Sequence, residues 1–237
     1  MNTMVERALA WIRHGEYSQL PGVPSAHLLQ GLTARGREQA RAAAHGVWAF
    51  AREHELELHA VVDCSSLRRA WETADLMRGE LRRIGGPELA LEEVAVLAER
   101  SLGAAATLTV DEIEAALAAD PRFEVPPQGW KRDPEYRLPL IGAESLEQAG
   151  ARVARHVTTR MRALAGDACL KLFVGHGGAF RHAAGALGLL PREGIRQRSM
   201  QHAAPLYFEH LALQGMPERF VHLAGQWLLR GDDPPAR

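Results

Sequence analysis

The chain has 237 residues, 46% of them apolar and 24% charged, and its formal net charge is −1. That length allows a sizeable core, and the composition is that of an ordinary soluble protein. The near-neutral balance excludes a whole-chain attraction for nucleic acid or acidic membranes, so an anion site here has to be a local gathering of arginine and histidine.

The first strand-like run is Ala8-Leu9-Ala10-Trp11-Ile12, followed at once by Arg13-His14-Gly15-Glu16. Leu32-Thr33 then announces a helix from Ala34 to about His54. Ala60 to Val62 is a second extended run. After it, Ser65 or Ser66 is the N-cap expected for a helix through Ala70, Ala74 and Met77 to Ile84, ended by Gly85-Gly86-Pro87. Glu92 to Ala98 reads as another extended run, ending at Glu99-Arg100.

Residues 101–144 break this rhythm. Thr109 and Glu112 predict a capping box for one short helix that stops near Asp120-Pro121. A proline-rich, aromatic and basic loop follows, from Pro126 through Trp130 to Pro134. Ser145 and Gln148 cap the next helix, which runs to about Leu164. Leu170 to Val174 is a third strand, before Val174-Gly175-His176-Gly177-Gly178 and a helix from about Ala179 to Leu189. Pro205 to Leu213 and Arg219 to Leu229 read as closing strands, and 231–237 as a frayed, flexible tail.

Strand and helix in alternation argue for an α/β fold: a three-layer α/β/α sandwich with a mostly parallel sheet. Residues 1–237 are expected to form a single domain, with 101–144 as an inserted helix-and-loop cap over the strand C-termini. The ligand crevice of such a sheet lies beyond the carboxyl ends of its strands. Arg13-His14, Ser65 to Arg69 and His176 all fall just past strand ends, so they are expected to meet there.

Those side chains suit a phosphate ester. A transferring phosphoryl group needs positive charge around its oxygens. Arg13 and Arg69 each offer a planar fork of donors, and His176 a further one. His14 is then the nucleophile, and a carboxylic acid has to protonate the leaving oxygen. Glu99 is the choice for that acid, and Glu16 the competitor. Further candidate substrate contacts are Ser25, His27, Arg132, Arg137 and Arg181, with Trp130 available to stack on an apolar part. For Arg181, and for the loop from Trp130 to Arg137, an ordinary solvated surface is the alternative. No His-x-His or Asp-x-His cluster is present, and Cys64 and Cys169 lack zinc-ligand spacing. No metal and no cofactor is therefore expected.

Taken together, Arg13-His14-Gly15, Ser65-x-x-x-Arg69-Ala70-x-x-Thr73 and Gly175-His176-Gly177 resemble the histidine phosphatase superfamily, also called phosphoglycerate-mutase-like. The resemblance runs from about Leu9 to about Phe208. It implies that His14 becomes phosphorylated, that Arg13, Arg69 and His176 hold the phosphate, and that Ala98-Glu99-Arg100 carries the proton donor. Gly142-Ala143-Glu144-Ser145 matches a further pattern of the family. The Trp-Asn that many members carry after Arg-His-Gly-Glu is absent, and Tyr17-Ser18-Gln19 stands there. Ser18, Ser25 and His27 are candidates to replace that asparagine. This departure argues against a mutase, and Gly-His-Gly-Gly looks more like the phosphatase branches.

The expected function is a metal-independent, histidine acid-type phosphatase acting on a small phosphorylated metabolite through a phosphohistidine. Phosphoglycerate-mutase-type transfer and non-catalytic binding of phosphorylated ligands are the alternatives. The first residues lack the apolar core of a signal peptide, and no apolar run approaches the roughly 20 residues of a membrane span. A cytoplasmic protein with neither membrane nor nucleic-acid partners is expected, as a monomer or a homodimer.

Overall fold

An unbroken apolar run has no polar face to give to water, so it suits a strand covered on both sides. The computed structural model describes residues 5–24, 26–164, 168–212 and 217–230. Its first half contains β1 (Arg7–Arg13), α1 (Ala34–Glu53), β2 (Glu57–Leu58), β3 (Val61–Cys64), α2 (Arg68–Arg83), β4 (Ala90–Glu93) and α3 (Val110–Ala119). Then come α4 (Leu146–Ala163), β5 (Cys169–Gly175), α5 (Gly177–Ala186), α6 (Arg192–Gln197), β6 (Arg198–Ser199), β7 (Leu206–Leu211), β8 (Arg219–Ala224) and β9 (Leu228–Leu229).

Seven strands form one mixed sheet in the order β4-β3-β5-β1-β7-β8, with β2 also paired to β5. β4, β3, β2, β5 and β1 run parallel, while β7 and β8 are antiparallel. This is the expected mostly parallel α/β sheet. Side chains alternate across it. Ala8, Ala10 and Ile12 face Ala40, Ala44 and Val47 of α1 and Ala74 and Met77 of α2. Leu9 and Trp11 face the other way, among Val153 and Val157 of α4, Phe180 of α5 and Phe208 of β7. Trp11 stacks on Phe180 with ring centres 5.2 Å apart. Both faces of β1 are thereby dry, which is why its apolar run is continuous.

Several boundaries follow the predicted signals. Thr33 caps α1 by accepting from Gly36 N, and Thr109 and Ser145 close the capping boxes of α3 and α4. Others differ. α2 begins at Arg68, with Leu67 at the N-cap and no side-chain cap, while the Ser65 hydroxyl accepts from Leu67 N at 3.3 Å and from His176. The run from Glu92 to Ala98 is not one strand. β4 stops at Glu93, and Ala95–Leu97 make a 3-10 turn that swings Glu99 back toward the sheet. The last expected strand is broken at Gly225, whose φ of 87° is left-handed. Its end, β9, pairs with β6 in a separate two-stranded sheet.

Residues 101–144 build their own small core. Leu102, Ile113, Leu117, Leu138 and Trp130 pack together there with Ala26. Trp130 is therefore not a stacking platform for substrate: it is 2% exposed, and its Nε1–H donates to Glu114 at 2.9 Å. A large aromatic in a short insertion is worth more as core than as surface. Ser25 and the tail 231–237 lie outside the described residues. Among the described residues no helix is long and apolar enough to cross a membrane.

Candidate active site

Sheet register brings the three motifs together. Arg13 pairs with Gly175, and Cys64 with Val174. His14 N donates to Gly175 O and Ser65 N to Val174 O, each at 2.9 Å. The residues that follow these strand ends, His14, Ser65 and His176, thus emerge side by side.

His14 is buried, and its tautomer follows from its partners. Nδ1 lies 2.7 Å from the Gly15 carbonyl oxygen. A carbonyl only accepts, so Nδ1 carries the hydrogen. Arg69 Nε–H donates to Nε2 at 3.2 Å, so Nε2 carries a lone pair. Gly15 is held in turn by Thr73, whose Oγ1 accepts from Gly15 N at 3.0 Å. No larger residue fits at Gly15, since a Cβ there would stand 2.4 Å from Gly36 O of α1.

Arg69 is fully buried behind His14. It donates to Leu28 O at 3.3 Å and to Ala26 O at 2.8 Å, and its Nη2 lies 3.2 Å from His176 Nδ1. The guanidinium also sits 4.8 Å from the centre of the Tyr17 ring. Since arginine only donates, His176 Nδ1 accepts, and Nε2–H donates to Ser65 Oγ at 2.8 Å.

A cavity of about 250 Å³ opens in front of His14. Arg13, Glu99, Arg100, Lys131, Arg181 and Arg230 bring the charges to its wall. Arg69 and His176 stand behind that wall, not in it. Arg13 donates to Met200 O at 2.5 Å. Both Glu99 oxygens meet backbone N–H groups, of Arg100 at 2.9 Å and of Gly178 at 3.0 Å. Gly178 is the second residue of α5, and only a residue without Cβ lets the carboxylate come this close: a Cβ there would be 2.6 Å from Oε1.

The other predicted residues are placed differently. Glu16 turns away from the cavity toward the start of α1, where Thr33 Oγ1 donates to it at 2.9 Å and Arg35 approaches. His27 donates to the Glu99 backbone carbonyl at 3.0 Å, beneath the cavity wall. Arg132 lines a neighbouring cavity, and Arg137 lies exposed outside the cavities described. Arg181 is buried and shared between the catalytic cavity and its neighbour. Lys131, Arg100, Ser199, Arg230 and His202 were not singled out as candidates by their sequence context. His202 Nδ1 donates to His14 O at 2.9 Å. Among the described residues no group of three His, Cys, Asp or Glu is placed to hold a metal.

Burial, then Arg69, His176, Arg13 and His202, hold His14 well below the ordinary histidine value. Burial and Arg69 act the same way on His176, and burial with Arg181 and two further arginines brings His182 down to about 3. These three are neutral when folded, whereas the unfolded chain binds protons from about pH 6.5 downward. Their contribution to stability is therefore complete above about pH 6.5 and is lost as the pH falls toward the folded values. Each adds a slope of up to about 1.4 kcal/mol per pH unit. Urea midpoints are expected to fall from pH 7.5 through 6 to 5, and a flat series would contradict the neutral rings.

The family model of the histidine phosphatase superfamily (branch 1) matches residues 9–212. Solved structures share the fold. "Mycobacterial hydrolase 2" is 25% identical, with a TM-score of 0.65 over 92% of this chain and 90% of that one. A mycobacterial glucosyl-3-phosphoglycerate phosphatase solved with VO3 is 24% identical, with a TM-score of 0.64 over 91% and 96%. The alpha-ribazole phosphatase of Shigella flexneri is 21% identical, with a TM-score of 0.63 over 91% and 94%. No curated protein matches the chain in sequence. With the family model covering most of its length, and the three motifs converging at the strand ends, the chain belongs to the histidine phosphatase superfamily, branch 1.

Proposed function

We propose that this protein is a metal-independent phosphomonoesterase that forms a phosphohistidine at His14 on a small phosphorylated metabolite. The observation that carries this reading is the His14 ring itself: neutral, oriented by Gly15 O, and offering its Nε2 lone pair beside a cavity walled by Arg13 and Glu99. Nε2 attacks phosphorus as the ester P–O bond breaks, and Glu99 gives the leaving oxygen its proton. Water then attacks the phosphohistidine, gives its proton to the Glu99 carboxylate, and releases phosphate and free His14. Arg13 faces the phosphoryl oxygens from the cavity wall, and Arg69, which stands behind the wall on Nε2, is assigned to turn from Nε2 to the dianion when it arrives. His176, fixed between Arg69 and Ser65, is assigned to the phosphate as well. Residues 101–144 act as a cap, a reading supported by Lys131 on the cavity wall. The phosphatase names of two of the structural neighbours agree with hydrolysis.

The test is phosphate release from a panel of phosphomonoesters in EDTA, with wild type beside His14→Ala. Release by wild type alone supports the reading, and equal release by both, or loss of wild-type activity in EDTA, defeats it.

Glu99 has its own prediction. In Gly178→Ala the new Cβ displaces the carboxylate and leaves the fold in place, because the clash is with the free end of a side chain. A misplaced acid costs about 100-fold in kcat. The loss is expected for an alkyl phosphate, whose alkoxide needs the proton. It should shrink severalfold for p-nitrophenyl phosphate, whose leaving group does not. Equal losses on both substrates would remove Glu99 from the role.

A further inference from the structure

Beyond Arg181 and Arg230 the catalytic cavity meets a second, larger one of about 410 Å³. Among the described residues, Arg132, Arg181, Arg192, Arg196 and Arg230 line it, against one carboxylate, Glu147. Its floor is apolar, with Ala151, Ala186, Leu190 and Ile195. Five arginines around one cavity are unexpected in a chain with a net charge of −1. Three separate stretches of the sequence supply them: the 3-10 turn Trp130–Arg132, the consecutive helices α5 and α6, and the residue just after β9.

The 3-10 turn links the two spaces. Trp130 anchors it in the small core, which leaves Lys131 on the catalytic cavity and Arg132 on the second one. Arg181 is buried where the two cavities share a wall. Arg192 pairs with Glu135, so part of the charge is balanced from outside. The excess is still felt inside, since Arg181, Arg100 and Arg230 add to burial in pulling His182 down. Convergent guanidinium groups in a partly closed space concentrate anions and recognise carboxylate or phosphate by paired hydrogen bonds.

We infer that the second cavity is an anion subsite, and that the substrate carries a second acidic group joined to its phosphate through a largely apolar stretch. This rests on the reading of the His14 cavity as the phosphate end. The apolar floor takes the connecting atoms, and Arg132 and Arg196 meet the distal acid. A phosphomonoester without that acid makes no contact with Arg132 and Arg196.

The probes are alkylphosphonates, matching ω-phosphonocarboxylates and matching α,ω-bisphosphonates over a range of chain lengths. Their binding to the full chain is followed by titration calorimetry, which needs no turnover. At a preferred length the second acid is expected to tighten binding about tenfold or more over the plain alkylphosphonate. The carboxylate and bisphosphonate arms tell which acid is meant. In the Arg132→Ala/Arg196→Ala double variant that ratio should fall below about threefold. Both side chains are exposed, so the fold survives their loss. No gain at any length, or a gain unchanged in the double variant, overturns the subsite. Hydrolysis by wild type of hexyl phosphate and of the matching ω-carboxyalkyl and ω-phosphonoalkyl phosphates is scored separately. Hydrolysis without an acid preference sinks the subsite alone, and an acid preference with hydrolysis of none of them sinks the phosphatase reading alone.

Discussion

His14→Ala is expected to lose on the order of 10⁵-fold in kcat/KM on any phosphomonoester the wild type turns over, because the nucleophile is removed along with the intermediate it forms. Nothing else on the cavity wall replaces it. Arg13 and Arg181 on the wall, and Arg69 behind it, are cations without a lone pair to give, and the carboxylate of Glu99 is occupied by the N–H groups of Arg100 and Gly178. The fold should persist. The ring is a neutral, buried group whose loss leaves a small cavity and frees one Arg69 donor, and Arg69 keeps its bonds to Ala26 O and Leu28 O. Rapid quench with a ³²P-labelled substrate adds a direct readout: acid-labile label on wild-type protein and none on the variant. A folded His14→Ala protein that kept more than about 1% of wild-type kcat/KM would end the phosphohistidine reading. Removing the ring also removes one source of acid lability, so the variant should lose less stability than wild type between pH 7.5 and 5.

The difference between His14 and Arg69 as targets lies in what each holds. Arg69 binds the nucleophile, the loop at Ala26 and Leu28, and His176 at once. Its replacement removes phosphate affinity and unties the loop together, so a dead Arg69→Ala says little about chemistry.

His14 and its partners were legible because each follows an apolar run that can only be a buried strand, and parallel register does the rest. Arg13 opposite Gly175 and Cys64 opposite Val174 is a consequence of three neighbouring strands. Local signals failed where a distant group competed for the same atoms. Ser65 has the chemistry of an N-cap, but α2 starts three residues later, and the Ser65 hydroxyl is shared between Leu67 N and His176, 111 residues away. Glu92 to Ala98 has the composition of a strand, but the chain must turn after β4 to bring Glu99 to Gly178. Trp130 stands among basic residues in the sequence, but its large apolar area is taken by the small core. Lys131, Arg230 and His202 carry no local pattern. Lys131 and Arg230 reach the cavity only through the packing of residues 101–144 and the pairing of β6 with β9, neither of which has a periodic signature.

The largest effect on stability is expected away from the chemistry, at Asp63→Ala. Asp63 is fully buried on β3, on the face toward α4. Lys171 Nζ on β5 lies 2.6 Å from one oxygen, and His156 Nε2 and Arg160 Nε of α4 lie 2.7 and 2.8 Å from the other. Burial works to raise this carboxyl, but hydrogen bonds from His156 and Lys171, the Lys171 charge and Arg160 outweigh it and hold it at about 2. A group lowered in this way stabilises the fold fully above about pH 3.9, and the contribution is lost only as the pH falls toward about 2. At neutral pH it is all present. Alanine at this position leaves the buried Lys171 ammonium and the Arg160 guanidinium without their shared carboxylate. Breaking one side of a buried pair costs about 3–5 kcal/mol, or roughly 6–20 °C in Tm for a chain of this size. The cost belongs to the abandoned charge more than to the bond, so Asp63→Leu combined with Lys171→Met should recover most of it. A thermal and urea cycle over the two single variants and the double one decides this. A single-variant loss below about 1 kcal/mol, or a double variant worse than either single, would mean that the sheet and α4 are held by their apolar contacts alone. β3 also carries Ser65 to His176, so a loosened β3 should lower kcat/KM at temperatures where the protein is still folded.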